Sequence, residues 1–137
     1  MKQSNYTFSV TTNGQGFYEI TSLIYSWLKK LDIKDGLLTI FIQHTSCSLI
    51  IQENADNDVQ KDLLNFFSKI APEKDNYIHN SEGLDDMPAH IKSAITQTNL
   101  SIPIENNQMV LGTWQGIYMF EHRKSSKKRT IKLHLIG

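Results

Sequence analysis

The chain has 137 residues, a formal net charge of zero from 14 basic and 14 acidic side chains, and a mean hydropathy of −0.35. That length supports one core without disulfide or metal reinforcement, is too short for a (β/α)₈ barrel, and with balanced charge excludes a dedicated nucleic-acid protein. The single cysteine, Cys47, excludes an internal disulfide and a Cys-rich zinc module. No stretch nears a membrane span or a signal-peptide core, so a cytoplasmic domain is expected.

Tyr6 to Val10 alternates with period 2 and reads as a half-buried strand, and Thr11 to Gly14 as a turn. From Ile20 onward, Leu23, Ile24, Trp27, Leu28 and Leu31 share one helical face, with Thr21 placed to cap and the helix ending near Asp32. Asp35-Gly36 turns into Leu37 to Gln43, a β-rich run expected to be a central strand; Ser48 to Gln52 reads as its continuation or hairpin partner. Val59, Leu63, Phe66, Phe67 and Ile70 mark a second helix, stopped by Ala71-Pro72. Met87, Ile91, Ala94 and Ile95 mark a third, with Pro88 in its first turn and Asp85 or Asp86 placed to cap. Leu100 to Ile104, Met109 to Trp114, Ile117 to His122 and Thr130 to Leu135 read as strands, and Lys124 to Arg129 as the hairpin loop between the last two. The expected fold is one α+β domain over residues 1–137. It is a two-layer sandwich, with a mainly antiparallel sheet of six or seven strands and about three helices on one face.

The charges are segregated: nine of the 14 acids lie between Glu53 and Asp86, and six of the 14 basic residues between Arg123 and Lys132. Brought together, such stretches would hold a metal and an anion side by side. Four clusters carry possible chemistry. His44-Thr45-Ser46 follows an apolar strand, offering an acid–base imidazole and anion-binding hydroxyls. Glu53, Asp56 and Asp58 form a helical first turn, where acids complement the macrodipole but would also suit Mg²⁺. His79, Glu82, Asp85, Asp86 and His90 bracket a loop and one helical turn, a pattern for a His₂–carboxylate metal site with an open position. The fourth is Gly112 to Ile117 followed by Glu121-His122-Arg123. There the glycines around Trp114 read as a bulge, its indole suits a planar ligand, and Arg123 suits phosphate. Glu121 and Arg123 should share one side of the strand, with His122 on the other.

The strings HTSCSLIIQENAD (His44 to Asp56), HNSEGLDDMPAHIK (His79 to Lys92) and GTWQGIYMFEHR (Gly112 to Arg123), with IPI between them, resemble the YjbQ family of small bacterial and archaeal proteins across nearly the whole chain. The resemblance implies an α+β homotrimer with thiamine phosphate synthase activity. That reaction joins a pyrimidine diphosphate to a thiazole phosphate and releases pyrophosphate, normally with Mg²⁺. From the residues the divalent metal is Mg²⁺ or Zn²⁺, the carboxylates suiting the first and the two imidazoles the second. On this reading His44, Asp85, Glu121 and His122 are catalytic, and Thr45, Ser46, Trp114, Gln115 and Arg123 bind substrate. His79, Asp86 and His90 hold the metal. The partners are a small phosphorylated metabolite and two further copies of the chain, without nucleic acid or membrane. The residues equally suit a metal-dependent phosphoester hydrolase or a non-catalytic trimeric binding protein for a phosphorylated metabolite.

Overall fold

A computed structural model describes residues 1–137. In chain order the elements are β1 (Gln3–Thr11), β2 (Gly16–Glu19), α1 (Thr21–Leu28), β3 (Gly36–Ile42), β4 (Cys47–Glu53) and α2 (Asn57–Ile70). They continue with α3 (Asp86–Ile95), β5 (Asn99–Glu105), β6 (Gln108–Met109), β7 (Gln115–Glu121) and β8 (Lys128–Ile136). All strand pairings are antiparallel, but the strands divide between two sheets, β1-β8-β3-β5-β6 and β2-β7-β4. The single sheet expected from the sequence is therefore two. Neither β3–β4 nor β7–β8 is a hairpin, because each connection carries the chain from one sheet to the other.

The physical reason is burial on both sides of β7. Ile117 and Met119 face the five-stranded sheet and join Leu38, Ile40, Ile42, Leu49, Leu100, Ile102, Ile131 and Leu133 in the main core. Tyr118 and Phe120 alternate with them on the other face and are also buried. There Phe67 of α2 packs edge-on against Phe120, with ring centroids 5.2 Å apart. Helix α1 inserts Ile24, Trp27 and Leu28 into the main core. Helix α3 is tied to β4 by the Ser93 hydroxyl, which donates to the Cys47 carbonyl at 2.9 Å. One layer is thus the five-stranded sheet and the other the three-stranded sheet with the helices, which preserves the two-layer α+β arrangement. The far face of the five-stranded sheet carries no helix, and Leu37 and Phe41 lie exposed on it.

Local chemistry moved several boundaries. Thr21 caps nothing: its hydroxyl donates to Glu19 and accepts the Ile117 N–H, and α1 ends at Leu28. Asp85 occupies the N-cap position of α3, yet its carboxylate makes no cap hydrogen bond. Asp56 does cap α2, accepting the Asp58 N–H at 2.9 Å. The strand read over Met109 to Trp114 shrinks to two residues, and Gly112 to Trp114 forms a turn that Gln115 closes by accepting the Gly112 N–H. At Gly116 a Cβ would come within 3.0 Å of Asn54 and 2.9 Å of Glu19, so this glycine permits close approach of the chain.

The connections β1–β2, β3–β4 and β7–β8 are fastened together by one buried ion pair. Glu121, fully buried, accepts from Nε of Arg129 at 2.8 Å and from its Nη2 at 2.5 Å. The same carboxylate accepts the Thr12 hydroxyl at 2.8 Å, and Arg129 Nη2 reaches the Ser46 carbonyl and hydroxyl. The pair is therefore bidentate, and the carboxylate and Nη2 carry further hydrogen bonds, the condition under which a buried ion pair is tolerated. Replacing Glu121 or Arg129 alone by leucine should cost about 3–5 kcal/mol in urea unfolding, because it strands a buried charge. The double replacement should cost less than either single one. Single variants within about 1 kcal/mol of wild type would show that the pair does not hold the crossings.

Candidate functional site

The end of the molecule where the sheets exchange chain also carries most of the sequence-selected polar residues. The loop before α3 folds back so that His79 lies over the helix's first turn. A nitrogen from His79, an oxygen from Asp86 and a nitrogen from His90 all lie within 4.8 Å of one another. Asp86 and His90 are four residues apart on α3 and so share a helical face. Nε2 of His79 sits 2.6 Å from Asp86 Oδ2, Nε2 of His90 sits 3.2 Å from the same oxygen, and Glu82 approaches His79 at 3.0 Å.

Outer contacts fix the orientation of these donors. Nδ1 of His90 lies 2.9 Å from the Thr45 carbonyl, which can only accept, so this nitrogen carries a proton. In the neutral ring Nε2 then presents a lone pair toward the Asp86 carboxylate, an arrangement that calls for a cation, a proton or a metal, between the two. The other Asp86 oxygen accepts from Arg123 Nη1 at 2.5 Å. Burial on its own would raise the Asp86 carboxyl, but the His79 hydrogen bond and the charges of Arg123 and His90 outweigh it and hold the group below the usual range. Asp86 is 3% exposed, whereas both imidazoles keep an open side.

Arg123 is a positioning residue. Its Nε donates to Asp85 at 3.0 Å, Nη1 to Asp86, and Nη2 to the Glu82 carbonyl at 3.0 Å. Asp85 also accepts the Lys124 N–H at 2.8 Å, and these two bonds keep its carboxyl low against the opposing effect of burial. This arginine, assigned from the sequence to substrate phosphate, here binds carboxylates of its own chain. Asp85 is correspondingly engaged in holding Arg123 and not free for catalysis. Gly83, at φ +104°, lets the loop close over this pair; a Cβ there would lie 3.1 Å from Asp85 Oδ1.

The remaining candidates separate. Glu121 and Arg123 do not act together: Glu121 turns into the core toward Arg129, and Arg123 lies beyond the strand end. His122 takes the opposite face, as strand alternation requires, and is 1% exposed. Its Nε2 pairs with the Ser48 hydroxyl at 2.9 Å, while Nδ1 is a buried side-chain atom with no hydrogen-bond partner. Burial, then the charges of Lys92 and Arg129, lower its pKa to about 3, so the ring is neutral and sealed, unsuited to proton transfer with a solvent-borne substrate. His44 accepts the Thr130 N–H at Nε2, 2.8 Å away, and burial followed by Arg129 holds it below its ordinary value. That nitrogen clips the β3–β4 connection to β8. The Ser46 hydroxyl is engaged by Arg129, and Thr45 contributes its carbonyl to His90. Trp114, 62% exposed, and Gln115 stand at the start of β7, and the six residue steps to Glu121 span about 20 Å. Within one chain they do not join the histidine cluster. Cys47 is fully buried with its thiol pushed up to about 12, which makes it a core residue.

Sequence reasoning passed over Lys92 and Arg129. Arg129 carries no local signal, since its partner is set by the pairing of strands from different sheets. Lys92 had one: it falls on the helical stripe Asp86, Ala89, Lys92, Ser93, which is buried.

His122 generates a pH signature. Above pH 6.5 it is neutral folded or unfolded. Below, the unfolded chain takes up a proton there and the folded chain does not until about pH 3, so stability falls as pH falls through this window. The slope approaches the one-proton limit of about 1.4 kcal/mol per pH unit. Urea unfolding between pH 7 and 4.5 should show wild type losing more stability than His122→Asn. Parallel profiles would overturn the assignment.

Comparison with known proteins places this geometry. The family model for UPF0047 protein YjbQ-like matches residues 6–137. A UPF0047 protein of Synechocystis is 47% identical over 129 residues, covering 93% of this chain and 88% of that protein. UPF0047 protein YjbQ of Escherichia coli O157:H7 is 39% identical over 132 residues, 96% of each chain. Among solved structures, a YjbQ/UPF0047 family protein of Clostridium acetobutylicum superposes with a TM-score of 0.84 at 32% identity, covering 97% of this chain and 99% of that one.

Proposed function

This chain belongs to the YjbQ-like UPF0047 family, and from that premise we propose that it is a small metal-assisted enzyme acting on a phosphorylated heterocycle, in the manner of a thiamine phosphate synthase. The observation that carries the proposal is the cluster of His79, Asp86 and His90, three donors converging with one side open. Two imidazoles and one carboxylate fit Zn²⁺ or a similar transition metal better than Mg²⁺, which favours oxygen donors throughout. A divalent ion held there by His79, Asp86 and His90 would stabilise charge on a departing diphosphate. The chain's own residues prepare the site. Arg123 keeps Asp86 ionised and aimed, the Thr45 carbonyl sets the tautomer of His90, and Glu82 stands ready beside His79.

Two features favour a homotrimer. The far face of the five-stranded sheet exposes Leu37 and Phe41 without any covering element, as an interface would. Trp114 and Gln115 lie too far from their own chain's histidines to share a ligand. We assign ring stacking on the heterocycle to Trp114 of a neighbouring copy.

Tag-free protein purified without chelator should carry about one divalent ion per chain, lost in His90→Ala and in Asp86→Asn. Pyrophosphate release from the pyrimidine diphosphate and thiazole phosphate should stop when the metal is removed and return when it is restored. Metal-loaded protein that binds these compounds without turnover would instead favour the binding-protein reading, and absence of metal would defeat both versions of the site. Light scattering should report trimers for wild type and monomers for Phe41→Glu. Mixed trimers of inactive Trp114→Ala and His90→Ala chains should regain activity if the site is shared; no recovery would leave Trp114 outside it.

A further inference from the structure

Lys92 is a buried cation without an anion. The residue is 6% exposed, and its ammonium makes neither a hydrogen bond nor an ion pair; Glu73, Lys124 and Asp85 act on it only through space. Withdrawing an ammonium from water without an acceptor is unfavourable. Lys92 keeps only a narrow opening to solvent, through the cleft that it lines.

That cleft, about 390 Å³, is lined by Gln15, Ser68, Glu73, Lys74, Lys92 and Lys124, among others. Its size suits a small phosphorylated molecule more than a bare ion. Its charge is three ammonium groups against one carboxylate, and that carboxylate, Glu73, is already paired with Lys124 at 2.5 Å. Lysines are compact point charges with rotatable donors, fitted to an anion that presents oxygens in several directions, and the Ser68 hydroxyl and Gln15 amide add neutral donors.

The cleft is separate from the histidine cluster. Lys92 and His90 are two residues apart on α3 and so project about 160° apart around its axis. Between them run Arg123 and Asp85, engaged with each other, and the Lys124 N–H that donates to Asp85. With Arg123 committed to carboxylates of its own chain, Lys92 is the buried cation left without a partner at this end of the molecule.

We propose that this cleft binds the phosphate group of a small phosphorylated ligand, with Lys92 as the buried charge at its wall and Lys74, Lys124 and Ser68 at its mouth. The proposal extends the reading given above by locating a phosphate away from the metal donors. Its test requires neither metal nor turnover, so each can fail alone.

The probe is inorganic pyrophosphate. It is titrated calorimetrically into protein stripped of metal and dialysed free of chelator, at constant ionic strength set with chloride. Wild type should bind, and His90→Ala should bind equally well. Lys92→Met, which keeps the chain length and removes the charge, should bind at least tenfold more weakly. Without ligand, Lys92→Met should melt at the same temperature as wild type or higher, since it removes an unpaired buried charge; a lysine of structural importance would lower it. Loss of binding in His90→Ala would place the anion on the metal donors and overturn the proposal. So would equal binding by Lys92→Met, or no binding by wild type.

Discussion

The ion pair between Glu121 and Arg129 is the constraint on which this structure rests. Three of the chain's six passages between the two sheets, β1–β2, β3–β4 and β7–β8, meet at this carboxylate and guanidinium through Thr12, Ser46 and the ends of β7 and β8. A sandwich whose sheets share three crossings at one end needs something to keep their backbones from parting, and apolar packing is non-directional. A bidentate pair supplies direction: it fixes which residue of β7 lies beside which residue of β8, though the two strands share no ladder.

The same pair sets the approach to the candidate site. Glu121 Oε2 also accepts the N–H groups of His122 and Arg123, at 3.1 and 3.3 Å, which turns the backbone off the line of β7. Arg123 thereby leaves the strand toward α3 and meets Asp85 and Asp86. Arg129 meanwhile holds Ser46, so the preceding Thr45 carbonyl stands where His90 can donate to it. Both contacts that orient the proposed metal donors, Arg123 on Asp86 and Thr45 on His90, thus trace back to one buried carboxylate. Glu121 governs the site without touching it.

What the sequence disclosed follows from the range of each interaction. Helix α2 and strands β3 and β5 were legible because their apolar periods are local and long. Strand β2 was not, since Gly16–Glu19 is four residues, none of them fully buried and without alternation. The supposed β7–β8 hairpin failed for a reason visible in hindsight: Ile117 to Phe120 is apolar at every position, the mark of a strand covered on both faces, not of a hairpin with a wet side. In the site, His79, Asp86 and His90 were legible because a loop and one helical turn bring them together within twelve residues. Glu121, His122 and Trp114 were grouped with one another by proximity in sequence. A strand, however, turns neighbours to opposite faces and carries residues apart by about 3.3 Å per step. Sequence adjacency favours convergence on a helix and divergence along a strand.

Satisfaction of hydrogen bonds then sorts the polar residues at this end by task. Glu121, Arg129, Arg123, Asp85, Ser46 and Nε2 of His44 have partners within the chain, and their geometry is accordingly fixed; groups so engaged can orient others but have little left to offer a ligand. His79 and His90 keep an open side, and Lys92 has no acceptor at all. Nδ1 of His122 is unpartnered too, but it is sealed from solvent, so its lack of a partner is a cost to stability at low pH and not a point of access. Exposure and satisfaction must therefore be read together. Groups that stay reachable are where the molecule can take a ligand, and here they lie on two sides of α3: the open edges of two imidazoles on one, and an ammonium without an acceptor on the other.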